Sequence, residues 1–253
     1  MFASDTFQDT VTVVTGAAGG MGLATAQLFA RHGGSVVLSD RDTSRLQKAV
    51  NDLDVGDRAV AVELDLADPT SVSALFERAC DTFDRVDHAV NCAGVMSSVP
   101  MDEVTPEVWD TVNTINLRGA FLFTQEAYRR MAPRRRGSVV LVASDAAKRG
   151  GGGMIADIPY AASKAGVVSL VKSVSRACAG SGIRINGVCP GASDTPMHGS
   201  VDQTMKDRIA AGIPLGRMGN PEDMANAIAF LCSDLASYIY GESINVDGGT
   251  ILE

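Results

Sequence analysis

The feature that most constrains this chain is a series of seven short β-branched runs, each separated from the next by a segment with helical spacing. The runs cover 11–15, 35–39, 59–62, 86–91, 138–143, 183–189 and 243–246. Most are apolar throughout instead of alternating, as strands are when helices cover both faces of a parallel sheet. Between them, Asp68-Pro69 precedes Leu75, Phe76 and Ala79, where Asp can cap a helix and Pro can occupy its first turn. Asn220-Pro221-Glu222-Asp223 repeats that start signal. Strand and helix alternating at this pitch predict an α/β fold, a Rossmann-type doubly wound parallel sheet of about seven strands, with ligands at the carboxyl ends of the strands.

Bulk properties narrow the function classes. At 253 residues and 45% hydrophobic, the chain fits a single domain over 1–253. A net charge of −8 opposes loose binding to nucleic acid or to an anionic membrane. Cys80, Cys92, Cys178, Cys189 and Cys232 stand singly without a CxxC pair, which predicts reduced thiols in a cytoplasmic protein. The amino terminus has no long apolar run, and no stretch approaches the roughly 18 apolar residues of a membrane span. His32, His88 and His198 have no partners at ligand spacing, so no metal site is expected.

The first run leads into Thr15-Gly16-Ala17-Ala18-Gly19-Gly20-Met21-Gly22 and then a helical segment. Glycine lets the backbone approach a pyrophosphate, and the helix amino terminus offers free N–H groups and partial positive charge. Asp40 closes the second strand, 18 residues beyond Gly22, where a carboxylate can accept hydrogen bonds from an adenosine ribose. That charge opposes the 2′-phosphate of NADP, whereas Arg41 next to it would attract one; weighting Asp40 more heavily predicts NAD. The alternative for Asp40 is a cap on the helix opening near Asp42.

With these features in place, the chain resembles the short-chain dehydrogenase/reductase family, in its compact branch with a Thr-Gly-x-x-x-Gly-x-Gly turn. The resemblance spans nearly the whole chain. It rests on that turn, Asp65-Leu66, Asn91-Cys92-Ala93-Gly94, Asn116-Leu117, Ser144, Tyr160-Ala161-Ala162-Ser163-Lys164, Pro190-Gly191 with Thr195-Pro196-Met197, Asn220-Pro221-Glu222-Asp223 and Val246-Asp247-Gly248-Gly249. It implies a nicotinamide dinucleotide held by Gly16, Gly19, Gly20, Met21, Gly22, Asp40 and Arg41. It further implies Asp65 and Leu66 at the adenine, Asn91, Ala93 and Gly94 on the adenosine ribose side, and Pro190, Gly191 and Thr195 at the nicotinamide end. Asn91 can instead support the neighbouring backbone.

Hydride transfer creates or removes charge on a substrate oxygen, so a proton donor or acceptor must stand there. Tyr160 is the expected acid–base group. A free phenol has pKa near 10, and Lys164, one helical turn on, is expected to lower it. The resemblance adds a ribose contact for Lys164, a substrate-oxygen bond from Ser144, and for Asn116 a water linking Lys164 to solvent. Asn116 can also be an ordinary polar helix residue.

The chain departs from the family where Ser144 and Tyr160 lie 16 positions apart, about three residues more than usual, so 148–158 reads as carrying an insertion. Gly150 to Gly153 would let Met154, Ile155 and Ile158 form an adaptable apolar wall, or simply make a surface bulge. Ser193 stands where similar sequences have a β-branched apolar residue. Val95, Met96, Met197 and Met205 are the other expected lining residues, with a loop and helix closing over the site between 195 and 214. A small, largely apolar carbonyl or alcohol is the expected substrate, with no obvious clamp for a charged head group. The alternatives are an NADPH-dependent reductase of 3-oxoacyl groups on an acyl carrier protein, which Arg129, Arg130, Arg134, Arg135 and Arg136 would favour, and a catalytically silent dinucleotide sensor or scaffold. The resemblance also implies a homotetramer through long helices near 105–130 and 160–180 and the last strand.

Overall fold

The computed structural model describes residues 2–151, 157–195 and 202–252. Seven strands, β1 (Val11–Thr15), β2 (Ser35–Asp40), β3 (Ala59–Glu63), β4 (His88–Asn91), β5 (Gly137–Val142), β6 (Ile183–Pro190) and β7 (Ser243–Val246), form one parallel sheet in the order β3-β2-β1-β4-β5-β6-β7. The helices are α1 (Gly20–Arg31), α2 (Thr43–Leu53), α3 (Pro69–Phe83), α4 (Pro106–Asn113), α5 (Gly119–Met131), α6 (Ala146–Arg149), α7 (Ile158–Ala177), α8 (Gln203–Ala211) and α9 (Pro221–Cys232). The predicted runs and the strands coincide within about two residues. β4 is the most shortened: it begins at His88.

Successive side chains leave opposite faces of a strand, so each apolar run supplies two layers. Val13, Val37, Val139 and Leu141 face one core, where Phe76 of α3 meets Phe123 of α5 at 5.1 Å and Val167 and Val171 come from α7. Val14, Val36, Leu38 and Val140 face the other, filled by Phe29 of α1, Leu46 of α2 and Ile228 of α9. The caps follow the sequence: Asp68 accepts a bond from Thr70 N at 2.9 Å ahead of Pro69, and Asn220 with Asp223 forms a capping box before α9. The strand order reverses between β1 and β4, which opens a cleft beyond their carboxyl ends.

The helix expected near 105–130 is broken. A π turn over Thr114–Arg118 separates α4 from α5 and carries Asn116, which is 2% exposed. Tight contacts fix the segment on both sides. A Cβ at Gly119 would lie 2.9 Å from Leu66 Cβ, and one at Gly166 would lie 2.7 Å from Leu117 Cδ2, so both glycines admit a leucine. In the 148–158 segment Lys148 and Arg149 finish α6 and Ile158 begins α7, and residues 152–156 lie outside the described residues.

Cys80, Cys92, Cys178, Cys189 and Cys232 are all unpaired thiols. His88 is packed against Phe7 and Phe29, and His32 Nδ1 lies 2.8 Å from Ala3 O; His198 lies outside the described residues. Among the described residues no helix is long and apolar enough to cross a membrane.

Candidate active site

The turn after β1 is shaped by absent side chains. Gly16 adopts φ +67°, and a Cβ there would come within 3.0 Å of Ala93 N, while a Cβ at Gly22 would lie 2.3 Å from Gly16 O. Gly20 also has positive φ, at 53°. Gly19 is the N-cap of α1, and no side chain caps the helix. The first-turn donors of α1 therefore stay available for an anion. Gly16, Gly19, Gly20, Met21 and Gly22 all line the cleft.

Asp40 ends β2 in the same wall, and its carboxylate braces the turn by accepting from Ala18 N at 3.2 Å and Asp42 N at 3.1 Å. Asp42, not Asp40, caps α2, through Arg45 N at 3.0 Å. Arg41 is exposed and stands outside the cleft wall, which Arg45, four residues on, joins. A cradle that a Cβ would fill, an uncapped helix terminus and a carboxylate at the strand end together fit a dinucleotide.

The turn after β4 is tied to this one. Thr15 Oγ1 donates to Asn91 Oδ1 at 2.6 Å and accepts from Ala93 N at 3.1 Å, which makes Asn91 a support and puts Ala93 and Gly94 in the wall. Asp65 and Leu66 lie outside the wall: Asp65 Oδ1 accepts from Ala67 N at 2.9 Å, and Leu66 is buried against Gly119.

Asn116 holds the chain beyond Gly94. Its Oδ1 accepts from Val95 N at 2.8 Å, and its amide donates to Val95 O at 2.9 Å and Ser163 Oγ at 3.1 Å. Both N–H groups are thus committed to the protein. Val95 itself is outside the wall, and Met96 beyond it lines the cleft.

Ser144 follows β5, 8% exposed, and its hydroxyl donates to Asp145 Oδ1 at 3.2 Å while accepting from Ala146 N at 3.1 Å. The Ser144 side chain stands near enough to the Tyr160 phenol to favour its ionised form. Lys164, 4% exposed and one turn along α7, donates from Nζ to Val142 O at 2.8 Å and lies 5.7 Å from the centre of the Tyr160 ring. All three line the cleft.

The expected fall in the phenol pKa does not occur. Burial raises it, the Ser144 side chain works the other way, and the nearby Asp145 and Asp157 carboxylates raise it further. Burial also lowers the Lys164 ammonium to about 8, so the cation is weakened but still the main form near neutrality.

Asp157 escaped the sequence reading. It is 2% exposed, lines the cleft and caps α7 by accepting from Tyr160 N at 3.1 Å. The same carboxylate accepts from Ser97 N at 2.6 Å, Ser97 Oγ at 2.7 Å and Ser98 N at 2.9 Å, binding the loop after β4 to the first turn of α7. Ser98 sits at φ +52°. Burial opposes the Asp157 charge, and the bonds from Ser98, Ser97 and Tyr160 outweigh it, holding the carboxyl below its ordinary value. An Asp three residues before Tyr160 and followed by Ile158-Pro159 is an N-cap signal that could have revealed it.

At the far end, Pro190, Gly191 and Thr195 line the cleft, and Ser193 is buried with its hydroxyl on Gly191 O at 3.0 Å. Met154, Ile155 and Met197 lie outside the described residues. Met205 is on α8 but not in the wall, where Arg208 and Ile209 stand instead. Among the described residues no group of three or more His, Cys, Asp or Glu could hold a metal ion.

Similarity to known proteins agrees with this geometry. A family model described as "Enoyl-(Acyl carrier protein) reductase" matches residues 16–250. The chain is 39% identical over 246 residues to a cis-4-hydroxycyclohexanecarboxylate dehydrogenase of Sinomonas cyclohexanicum, covering 97% of this chain and 98% of that protein. It is 35% identical over 243 residues to the 3-oxoacyl-(acyl-carrier-protein) reductase FabG of Thermotoga maritima, covering 96% and 98%. A solved structure described as a short-chain dehydrogenase/reductase, glucose/ribitol dehydrogenase, from Brucella melitensis superposes with a TM-score of 0.91 at 33% identity over 98% of both chains.

Proposed function

The chain belongs to the short-chain dehydrogenase/reductase family of nicotinamide-dinucleotide oxidoreductases, and from that premise we propose that it interconverts a secondary alcohol and a ketone with NAD, using Tyr160 as acid and base. One observation carries the reading: Ser144, Tyr160 and Lys164 meet in the same cleft as the uncapped end of α1 and the Asp40 carboxylate. When bound, the nicotinamide supplies or takes up the hydride.

Tyr160 moves the proton at the substrate oxygen. Its raised pKa keeps the phenol protonated near neutrality, ready to protonate a carbonyl oxygen; alcohol oxidation needs the phenolate and gains as pH rises. The Ser144 hydroxyl holds that oxygen beside the phenol. Lys164 sits under the Tyr160 ring, fixed by Val142 O, and Asn116 keeps the Gly94 backbone against them. A Cβ at Gly94 would lie 3.2 Å from Lys164 Nζ and 3.3 Å from Asn116 Oδ1, so the glycine keeps both groups within reach of the cleft.

Asp40 supports NAD by charge, against which Arg45 is the one cation on the adjoining helix turn that lines the cleft. Comparing kcat/KM for NAD and NADP at equal concentration tests this. We expect NAD to be favoured by about 10-fold or more and Asp40→Ala to erase most of that preference. Parity, or a preference for NADP, sinks the cofactor reading.

The competing reading, an NADPH-dependent reductase of carrier-bound 3-oxoacyl groups, draws on the FabG relatives. The arginines that would meet an acidic carrier are engaged within the chain. Arg129 pairs with Glu126, Arg130 lies near Glu77 and Glu126, Arg134 reaches Asp87, Arg135 donates to Gly180 O, and Arg136 lies near Asp234. A silent sensor would not need an intact set of Ser144, Tyr160 and Lys164. The relative from Sinomonas is named for a ring-borne secondary alcohol, and Met96, Ile209 and Ile213 give this cleft apolar walls suited to such a ring. We also infer a homotetramer, since Trp109, Phe121, Leu235 and Tyr238 leave apolar surface exposed on α4, on α5 and ahead of β7; the molar mass by light scattering decides it.

A further inference from the structure

We propose that the cleft contains an anion subsite, in which the Arg208 guanidinium holds a carboxylate carried by the substrate. The inference rests on the dehydrogenase reading above and adds to it the chemical class of the substrate, a hydroxy or oxo acid with an apolar body.

The placement of Arg208 comes from the anchoring of α8. Asp202 caps the helix by accepting from Met205 N at 2.8 Å, and Lys206 Nζ bonds Asp194 Oδ1 at 2.7 Å, tying α8 to the segment that follows β6. In that setting Arg208, Ile209 and Gly212 line the cleft together with Met96, Thr195 and Tyr160. The wall therefore carries a cation, Arg208, beside the apolar Ile209 on the same helix.

The other charges of the cleft are answered from within the chain. Arg149 pairs with Asp145 at 3.0 Å, Asp157 is bonded by Ser97, Ser98 and Tyr160 N, and Asp40 by Ala18 N and Asp42 N. Lys164 donates to Val142 O, and Arg45 acts electrostatically on Asp42. Arg208, like Arg45, has no acceptor bonded to its guanidinium among the described residues. Its neighbours on the same helix face are Thr204, Met205, Ala211 and Gly212, none of them acidic. A guanidinium offers a planar fork of donors that matches a carboxylate in two parallel hydrogen bonds. Such a bond at one end and the Tyr160 phenol at the other would fix the carbinol carbon by two points, which positions it for one face of attack.

The test compares 4-hydroxycyclohexanecarboxylate with its methyl ester, using the purified protein and NAD. We expect the acid to exceed the ester in kcat/KM by about 30-fold, Arg208→Met to bring that ratio close to one, and Arg208→Lys to fall between. Because Arg208 is exposed, the Tm of each variant should stay near that of the parent. Equal use of acid and ester, or a ratio unchanged by Arg208→Met, overturns the subsite and leaves the dehydrogenase reading standing. Calorimetric titration of cyclohexanecarboxylate in the presence of NADH reads the subsite without turnover. Binding weakened about 10-fold or more by Arg208→Met supports the subsite even if neither alcohol is oxidised, an outcome that would instead count against the dehydrogenase reading. Binding that is absent, or equal in the two proteins, overturns the subsite.

Discussion

The two edges of the sheet both bury polar groups, and they treat them in opposite ways. At the amino-terminal edge, Asp87 receives Arg85 at 2.6 and 2.7 Å, Arg134 at 3.1 Å and Val11 N at 3.0 Å, so every strong acceptor position is answered by the chain. Burial works against that charge; the Arg85 and Val11 bonds more than compensate and hold the carboxyl below its ordinary value. At the carboxyl-terminal edge, the first turn of α1 has no side-chain cap, and the Ser144 and Tyr160 hydroxyls face a cleft. Satisfied buried polar groups stabilise a fold, whereas groups left with hydrogen-bonding capacity at a cleft are what a ligand can use.

If that contrast holds, substitutions at the two edges should separate activity from stability. The largest effect is expected from Tyr160→Phe, which removes the proton carrier and should lower turnover by about 10²–10⁴-fold, with dinucleotide affinity measured by fluorescence titration nearly unchanged. Activity within a few fold of the parent would remove Tyr160 from its role. Next comes Asp87→Ala, which strands Arg85 and Arg134 at the opposite edge. Both arginines are about a third exposed, so the cost should fall below that of a fully buried pair, at about 2–3 kcal/mol in denaturant unfolding. Turnover of the folded fraction should stay within about 2-fold, and a large loss of kcat without loss of stability would break the comparison.

The smallest effect sharpens the picture of the lower edge. His88 is packed between aromatic rings with Nδ1 2.8 Å from Ser138 Oγ, and burial lowers its pKa to about 4, against the opposing pull of Asp87. Below the unfolded value near 6.5 the unfolded chain binds a proton that the native chain refuses, so stability falls as pH drops from about 6.5 to about 4. His88→Phe should flatten that part of the stability profile by roughly 1–2 kcal/mol. Loss of the Asp87 contribution belongs to lower pH, below the ordinary carboxyl value, because its shift is downward. A parent and variant with the same slope between pH 4 and 6.5 would show that His88 titrates in the native state.

Much of the molecule is legible in local sequence. The runs at 11–15 and 138–143 announced strands because a period of two applied to uninterrupted β-branched residues leaves no polar face. Asp68-Pro69 and Asn220-Pro221 announced helix starts because capping is a local matter of a side chain and its own backbone. Gly16 and Gly22 could be placed for a similar reason, since the turn they make is contained within eight residues. Arg45 could not be placed from spacing, because only the path into α2 brings it to the cleft.

By itself, the sequence determined the parallel sheet and the glycine turn and singled out Ser144, Tyr160 and Lys164 as candidates, all of which depend on short-range pattern or on resemblance. Tertiary structure alone decided that Asn116 sits in a π turn and clamps Val95, that Asp157 joins the loop after β4 to the Tyr160 helix, and that Arg208 rather than Met205 faces the cleft. It also decided the electrostatics of the pair: Lys164 is buried, with its pKa near 8, and the phenol stands above its free value. The physical reason is common to all of these. Burial and the direction of a side chain are set by what other parts of the chain bring beside it, over separations of 21 residues for Asn116 and Val95 and 60 for Asp157 and Ser97, which no local spacing encodes.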